Sequence, residues 1–368
     1  MRAETQRAFW LALNFLVTQG YLSVSKALRY FDSPEKLFEP DLHWLNSISL
    51  GELARSKILS GEPQARAWEE LEKLKKKEYT LLTFKDSQYP QVLREIIEPP
   101  LVLYCSGQVE VLSWAAVAVV GSRRPSAYGR VMAEKLAEEL ASSGLVVVSG
   151  LARGIDTMAH RGALRSGRTI AVLGSGLDQV YPRENKMMAE KIAEKGVVIS
   201  EFPLDSEPLG YHFPLRNRVI SGLSLACLVV EASLKSGALI TAHLALDQGR
   251  EVLAVPGPVN SILSQGTNYL IKHGARLVET VEDILSELPS PWKEAAQNRL
   301  EERRQQMPEM EDREKKVFSA LPDKSTIHID ELAEKIEMPV AELLTILLAL
   351  EMKELVVQEA GRFFRRRG

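Results

Sequence analysis

The chain has 368 residues, 45% apolar and 26% charged, with a net charge of -3. That is enough for two or three soluble domains, and it excludes a global field for nucleic acid, so any such site must be a local patch. The two cysteines, Cys105 and Cys227, sit in apolar runs, which fits buried thiols in a reducing compartment rather than a disulfide framework. The start, Met1 to Thr5, has no signal-peptide pattern, and no stretch reads as a membrane span. The expectation is a cytoplasmic protein.

Residues 1–75 read as an all-helical module. Phe9, Leu11, Leu13, Leu16 and Val17 form one apolar face, and Asp32-Ser33-Pro34-Glu35 is a helix start with proline just inside the cap. Leu45 to Ile58, with its central Gly51, loosely resembles a helix-hairpin-helix, and a plain helical module fits it too. Lys73 to Lys77 follow as a solvated helix face.

Residues 76–288 then alternate between short apolar runs and helical patterns. Strands are expected at 79–84, 101–105, 116–120, 145–148, 169–173, 196–199, 226–230 and 252–255, with helices between the later ones. The two early strands should extend the sheet, the first as its edge. Such alternation implies a parallel sheet with right-handed crossovers and helices on both faces. Residues 289–311, rich in charge and proline, read as a linker that is partly helical. Residues 312–368 read as a winged helix, with helices around Val317, from Asp330 to Ile336 and from Val340 to Met352, and a wing turning at Ala360-Gly361. The third helix carries Glu342 and Glu351, with Glu354 just beyond, against the single Lys353, so it should contact protein rather than duplex bases. Arg365, Arg366 and Arg367 could touch phosphates.

In open parallel sheets ligands sit outside the carboxyl ends of the strands. Here those ends carry Gly121-Ser122-Arg123-Arg124, Gly150-Leu151-Ala152-Arg153, Arg216, Arg218 and Lys235, which would gather along one rim and suit phosphates. About half of these cations are expected to be held by Asp156, Glu201 and Glu231. His212-Phe213-Pro214-Leu215-Arg216-Asn217-Arg218 sets an aromatic beside two arginines and an amide, suiting an unpaired base; Phe213 could equally pack under a helix start. Ser236 to Thr241 opens another helix with free amides. Gly174-Ser175-Gly176 lacks the third glycine of a dinucleotide fingerprint and follows the wrong strand; a tight turn suffices for Gly174. No catalytic set, metal-ligand spacing or Walker lysine motif is present, so neither an enzyme nor a cofactor is expected.

Taken together, Gly121-Ser122-Arg123-Arg124-Pro125-Ser126, Ser149-Gly150-Leu151-Ala152-Arg153-Gly154-Ile155-Asp156, Ser200-Glu201-Phe202-Pro203, the Phe213 to Arg218 segment, Ser236 to Thr241 and Val255-Pro256-Gly257 resemble the DNA-processing protein A family, DprA or Smf. The resemblance spans roughly residues 80–280, and the flanks resemble the family's variable end modules. It implies an extended Rossmann-like fold without a dinucleotide. It also implies a homodimer that binds single-stranded DNA, protects incoming strands in natural transformation and helps load the RecA recombinase. Its DNA pocket would carry over onto Ser122, Arg123, Arg153, Phe213, Arg216, Asn217, Arg218 and Lys235. The alternative is a nucleotide-derivative enzyme of the same superfamily, a phosphoribohydrolase. Against it, Val255-Pro256-Gly257-Pro258 stands where those enzymes have a glycine-rich motif.

Overall fold

The computed structural model describes residues 2–33, 35–305, 310–322, 325–353 and 355–366. Pro34, Glu354 and Arg367 lie outside these. The chain forms two compact units, residues 1–300 and 301–368.

The first unit is built on a nine-stranded sheet. Its strands are β1 (Thr80–Thr83), β2 (Val102–Gly107), β3 (Ala116–Val120), β4 (Val146–Ser149), β5 (Thr169–Val172), β6 (Val197–Ser200), β7 (Ala226–Val229), β8 (Glu251–Ala254) and β9 (Arg276–Leu277). Their order is β1-β2-β6-β5-β4-β3-β7-β8-β9. From β3 to β9 every neighbouring pair is parallel. The pairs β1–β2 and β2–β6 are antiparallel, so the two early strands do extend the sheet, with β1 at its edge. Continuous β-branched runs such as Ala116–Val120 are buried on both faces, which is why they show no polar alternation.

Side chains alternate between two cores. Ala118, Val120, Val148, Ile170 and Ile199 point to one face. Val117, Val119 and Val147 point to the other, under the helices Ala127–Ser142 and Ile155–Ser166. Register places Ala171 and Val198 on that second face as well. There they meet Phe9, Leu13 and Leu16 of the N-terminal helix Arg2–Thr18. The helical segment and the sheet therefore share a core. Two hydrogen bonds pin the junction: Asn14 Nδ2 donates to the Glu201 carbonyl (2.9 Å), and the Leu204 amide donates to the buried Glu70 carboxylate (2.7 Å). Gly51 is the N-cap of helix Glu52–Ser60 with an ordinary φ of -67°.

Part of the expected linker is structured. Residues Trp292–Gln305 form a helix whose Ala296 and Leu300 are buried with Val117 and Leu140. The second unit has helices Asp312–Ala320, Ile329–Ile336 and Val340–Met352 and a three-stranded sheet of β10 (Ile327–His328), β11 (Val356–Glu359) and β12 (Phe363–Arg366), in the order β10-β12-β11. This is a winged helix, with its wing at Gly361 (φ +83°).

Candidate nucleic-acid interface

From β3 the chain winds through β4, β5 and β6 on one side, then crosses back to β7 on the other. The carboxyl ends of β3 and β7 therefore mark the point where the strand order reverses, where ligands of open α/β sheets bind. A cleft of about 590 Å³ opens there. Its walls come from the loop after β3, the loop after β4, the crossover helix His212–Gly222 and the loop and helix after β7.

The first wall is Gly121, Ser122 and Arg123. Buried Glu231 shapes it. Its carbonyl accepts from the Ser122 amide (2.7 Å), and its carboxylate accepts from the Ser126 amide (2.9 Å) and hydroxyl (2.6 Å). Glu231, expected to hold an arginine, holds this turn instead. Ser126 in turn caps helix Ala127–Ser142 by accepting from the Gly129 amide. Ser122 Oγ accepts from the Arg124 amide (3.1 Å). The Arg123 side chain is thereby presented to solvent, its guanidinium carbon 5.4 Å from the centroid of the Phe213 ring.

The second wall follows β4. Leu151 is buried at φ +55°, a strained conformation for a branched residue, and Gly154 at φ +80° lies against the Ser122 carbonyl with no room for a side chain. Asp156 reaches back to accept from the amides of Gly150 (3.2 Å) and Ala152 (3.3 Å). Burial raises the Asp156 pKa, while Arg216 and Arg123 pull it back down.

The floor is Arg216. It is 4% exposed and donates to the carbonyls of Gly150 (2.6 Å) and Val172 (2.5 Å), tying the ends of β4 and β5 together. Burial lowers its pKa to about 10, with Asp156 opposing and Arg123 adding to the effect, so it stays charged at neutral pH. Its Nε donates to Asn217 Oδ1 (3.2 Å), which also lines the cleft. The half-buried Phe213 ring rests on Gly174, where a Cβ would strike it, and is 5.8 Å from the Tyr181 ring. Gly174 thus serves a close approach rather than the tight turn read from the sequence.

The last wall is the N-terminus of helix Gly237–Asp247, capped by Ser236, with Thr241 behind it. Helices starting at Ala127, Ile155 and His212 also begin at this rim, so their positive ends favour negative charge here.

The predicted residues thus divide. Ser122, Arg123, Phe213, Arg216 and Asn217 are brought together around one cleft. Arg153 borders it, but its guanidinium is clamped by Glu184 in two 2.8 Å hydrogen bonds. Lys235 is exposed outside the cleft wall. Arg218 is not on the rim: its side chain is 12% exposed, and its Nη2 donates to the buried Glu201 (2.6 Å). Residues His212–Gly222 form a helix, and Arg218, two positions past Arg216 on it, faces away from the cleft. Sequence reasoning missed Tyr181 and Glu184. Tyr181 lies in the connection after β5 and Glu184 in the short 3-10 turn Arg183–Asn185 that follows, and neither carries a periodicity that would place it. The Pro256-Gly257-Pro258 turn is locked by Asn268, which donates to the Gly257 carbonyl (3.0 Å) and accepts from its amide (3.3 Å); this turn does not line the cleft. Among the described residues no cluster of His, Cys, Asp and Glu could hold a metal, and no helix is long and apolar enough to cross a membrane.

Residues 80–289 match the family described as DNA recombination-mediator protein A, and residues 301–362 match its winged-helix domain. The chain belongs to the DNA recombination-mediator protein A family. It is 37% identical over 362 residues to protein Smf of Escherichia coli, covering 96% of this chain and 87% of that protein. It is 44% identical over 210 residues to the DNA processing protein DprA of Bacillus subtilis, covering 56% and 71% respectively. Among solved structures, DprA of Streptococcus pneumoniae superposes with a TM-score of 0.64 at 33% identity, over 78% of this chain and 97% of that one. DNA processing protein A of Helicobacter pylori, whose structure is described as showing a single-stranded DNA binding mode, gives 0.53 at 32% identity, over 58% and 98%.

Proposed function

We propose that this protein binds single-stranded DNA in the cleft between the β3, β4 and β7 loops and acts in DNA processing and recombination. One observation carries the reading: Arg123 lies over Phe213 at the mouth of a cleft whose floor is a buried guanidinium and whose rim is helix N-termini. A charged group beside an aromatic face is what a strand of alternating phosphates and unpaired bases requires. Arg123 and the helix N-termini hold phosphates, Phe213 stacks a base, and Asn217 and Ser122 supply hydrogen bonds. Arg216 contributes its charge from below while bracing the floor. Lys235 and Arg153 lie outside the central contacts, Arg153 because Glu184 already holds it. The Helicobacter pylori relative supports the choice of ligand.

The same proposal, resting on family membership, has the protein working as a cytoplasmic homodimer that protects incoming strands and helps load RecA recombinase, without catalysis. The test is fluorescence anisotropy of a labelled oligothymidine with the purified chain, in the absence of metal and nucleotide. Saturable binding that an unlabelled single strand displaces and an equal mass of duplex does not is the expected result. Equal competition by duplex, or release of ribose phosphate from nucleoside monophosphates, overturns the reading.

A further inference from the structure

A second cleft lies at the opposite rim of the same sheet, where β3, β4 and β5 begin. It encloses about 580 Å³, close to the volume of the first. Its wall holds the indoles of Trp114 and Trp292, 41% and 43% exposed, and the guanidiniums of Arg168 and Arg299. No acidic residue and no lysine lines it.

The two arginines are positioned differently. The guanidinium carbon of Arg168 is 4.6 Å from the Trp114 ring centroid, and its Nε donates to Gln108 Oε1 at 3.5 Å. Arg299, on the helix that begins at Trp292, lays its guanidinium on the bare Cα of Gly144 (φ +83°), where any side chain would displace it. Among the described residues neither arginine is within ion-pair distance of a carboxylate. The Trp292 ring has no aromatic or cationic neighbour among those residues either. A half-exposed Trp292 without a stacking partner, facing the Trp114–Arg168 pair and two guanidiniums without a carboxylate, leaves one stacking face and the positive charge unmet.

The surroundings select among ligands. Helices Ala127–Ser142 and Ile155–Ser166 end at this cleft, so it collects carbonyl acceptors as well as guanidinium donors. A simple anion would use only the arginines and leave the indole faces and carbonyl acceptors unused. A nucleobase uses an indole face for stacking, acceptors for its amino group and donors for its carbonyls, and its phosphate takes the second guanidinium. We propose that this cleft is a second nucleotide-binding site, taking a deoxynucleotide unit between Trp292 and the Trp114–Arg168 pair, with its phosphate on Arg299. The unit is a free mononucleotide or one residue of a passing single strand.

Trp114 and Trp292 are the probes. Tryptophan fluorescence is titrated with dAMP, with an oligothymidine and with inorganic phosphate at constant ionic strength. Each titration uses the full chain, an R123A/F213A variant that disables the first cleft, and an R168Q/R299Q variant. The expected result is a saturable change with dAMP, with the oligonucleotide or with both, that survives in R123A/F213A. In R168Q/R299Q its midpoint should rise at least tenfold, and in W292F its amplitude should fall. A response to dAMP identifies a mononucleotide site, and a response to the oligonucleotide alone identifies a strand path. Should R168Q/R299Q fail to fold, Arg299→Gln alone carries the test, because Arg299 is on an exposed helix position. The proposal is overturned if neither ligand changes the fluorescence of R123A/F213A, if the change is indifferent to the arginines, or if inorganic phosphate alone reproduces it at the same midpoint. Loss of oligonucleotide anisotropy in R123A/F213A bears on the first cleft only, so the two readings can fail separately.

Discussion

Arg218 sits in the sequence as one of a pair of arginines flanking an asparagine, yet it should behave as a core residue. Its side chain is 12% exposed and that of Glu201 is 7% exposed, with 2.6 Å between Nη2 and Oε2. Replacing Arg218 by Ala leaves the Glu201 carboxylate buried and unpaired, a change that costs about 3–5 kcal/mol in comparable cases. The pair is imperfect: Arg218 Nε and Nη1 and Glu201 Oε1 are buried without a protein partner. The loss should therefore fall near the low end, about 3 kcal/mol. In a unit of this size each kcal/mol moves the melting temperature by roughly 2–4 °C, so Arg218→Ala should melt roughly 6–12 °C lower at pH 8.

The pH dependence has a definite sign. Burial raises the Glu201 pKa, against the opposing pull of Arg218. Without the arginine it rises further, so the folded variant binds a proton that the unfolded chain does not. The penalty is therefore full above the folded pKa. It shrinks as pH falls through that value toward the unfolded pKa, about 4.3. Thermal melts of wild type and variant at pH 8 and pH 5.5 should converge at the lower pH, and E201Q/R218M should regain much of the loss. Oligonucleotide affinity, measured well below the melting temperature, should stay within about threefold, which is about 0.65 kcal/mol. A variant that melts like wild type but binds DNA tenfold more weakly would show that Arg218 reaches the strand and that the buried pair is misassigned.

The other arginines should separate from it. Arg123→Ala should leave the melting profile unchanged, weaken oligothymidine binding by about 1.5–3 kcal/mol and make the salt slope shallower by about 0.7; an unchanged slope means Arg123 touches no phosphate. Phe213→Ala should lose about 1–3 kcal/mol of binding, and because its ring contacts Arg123 the double variant should lose less than the sum; strict additivity in a double-mutant cycle argues against a joint site. Arg216→Ala should lower both melting temperature and affinity, since it strands the Gly150 and Val172 carbonyls at about 1–3 kcal/mol each; a change in affinity alone would mean those bonds do not brace the floor. In the winged helix, Leu344, Leu348 and Met352 lie exposed along one side of helix Val340–Met352. Removing residues 312–368 should accordingly leave single-strand affinity within several-fold, and a hundredfold loss by anisotropy would show that this unit grips the strand.

The sequence by itself determined eight of the nine strands of the large sheet, the parallel sense of the series from β3 to β8 and the loops that bear the site; it did not show that β1 and β2 join antiparallel or that Arg276–Leu277 adds a ninth strand. Runs such as Ala116–Val120 and Ala226–Val229 are apolar without alternation because both faces are covered, and that pattern is local. The glycine, serine and arginine that follow β3 are equally local, so Ser122 and Arg123 could be placed at a strand end from their neighbours in the chain. Only the tertiary structure decided what each arginine does. Arg216 and Arg218 are two residues apart on one helix, and a turn of about 200° sends one to the cleft floor and the other to Glu201. Glu184, 31 positions from Arg153, neutralises a cation that looked free, and Glu231 holds a turn rather than a cation. The second cleft was illegible for the same reason. Trp114, Gly144, Arg168 and Arg299 belong to segments with no shared motif, and they meet only because parallel strands bring their amino ends to one edge and the helix from Trp292 packs beside it. Strand periodicity is written in neighbouring residues; charge pairing depends on which side of each element faces which partner, and only packing fixes that.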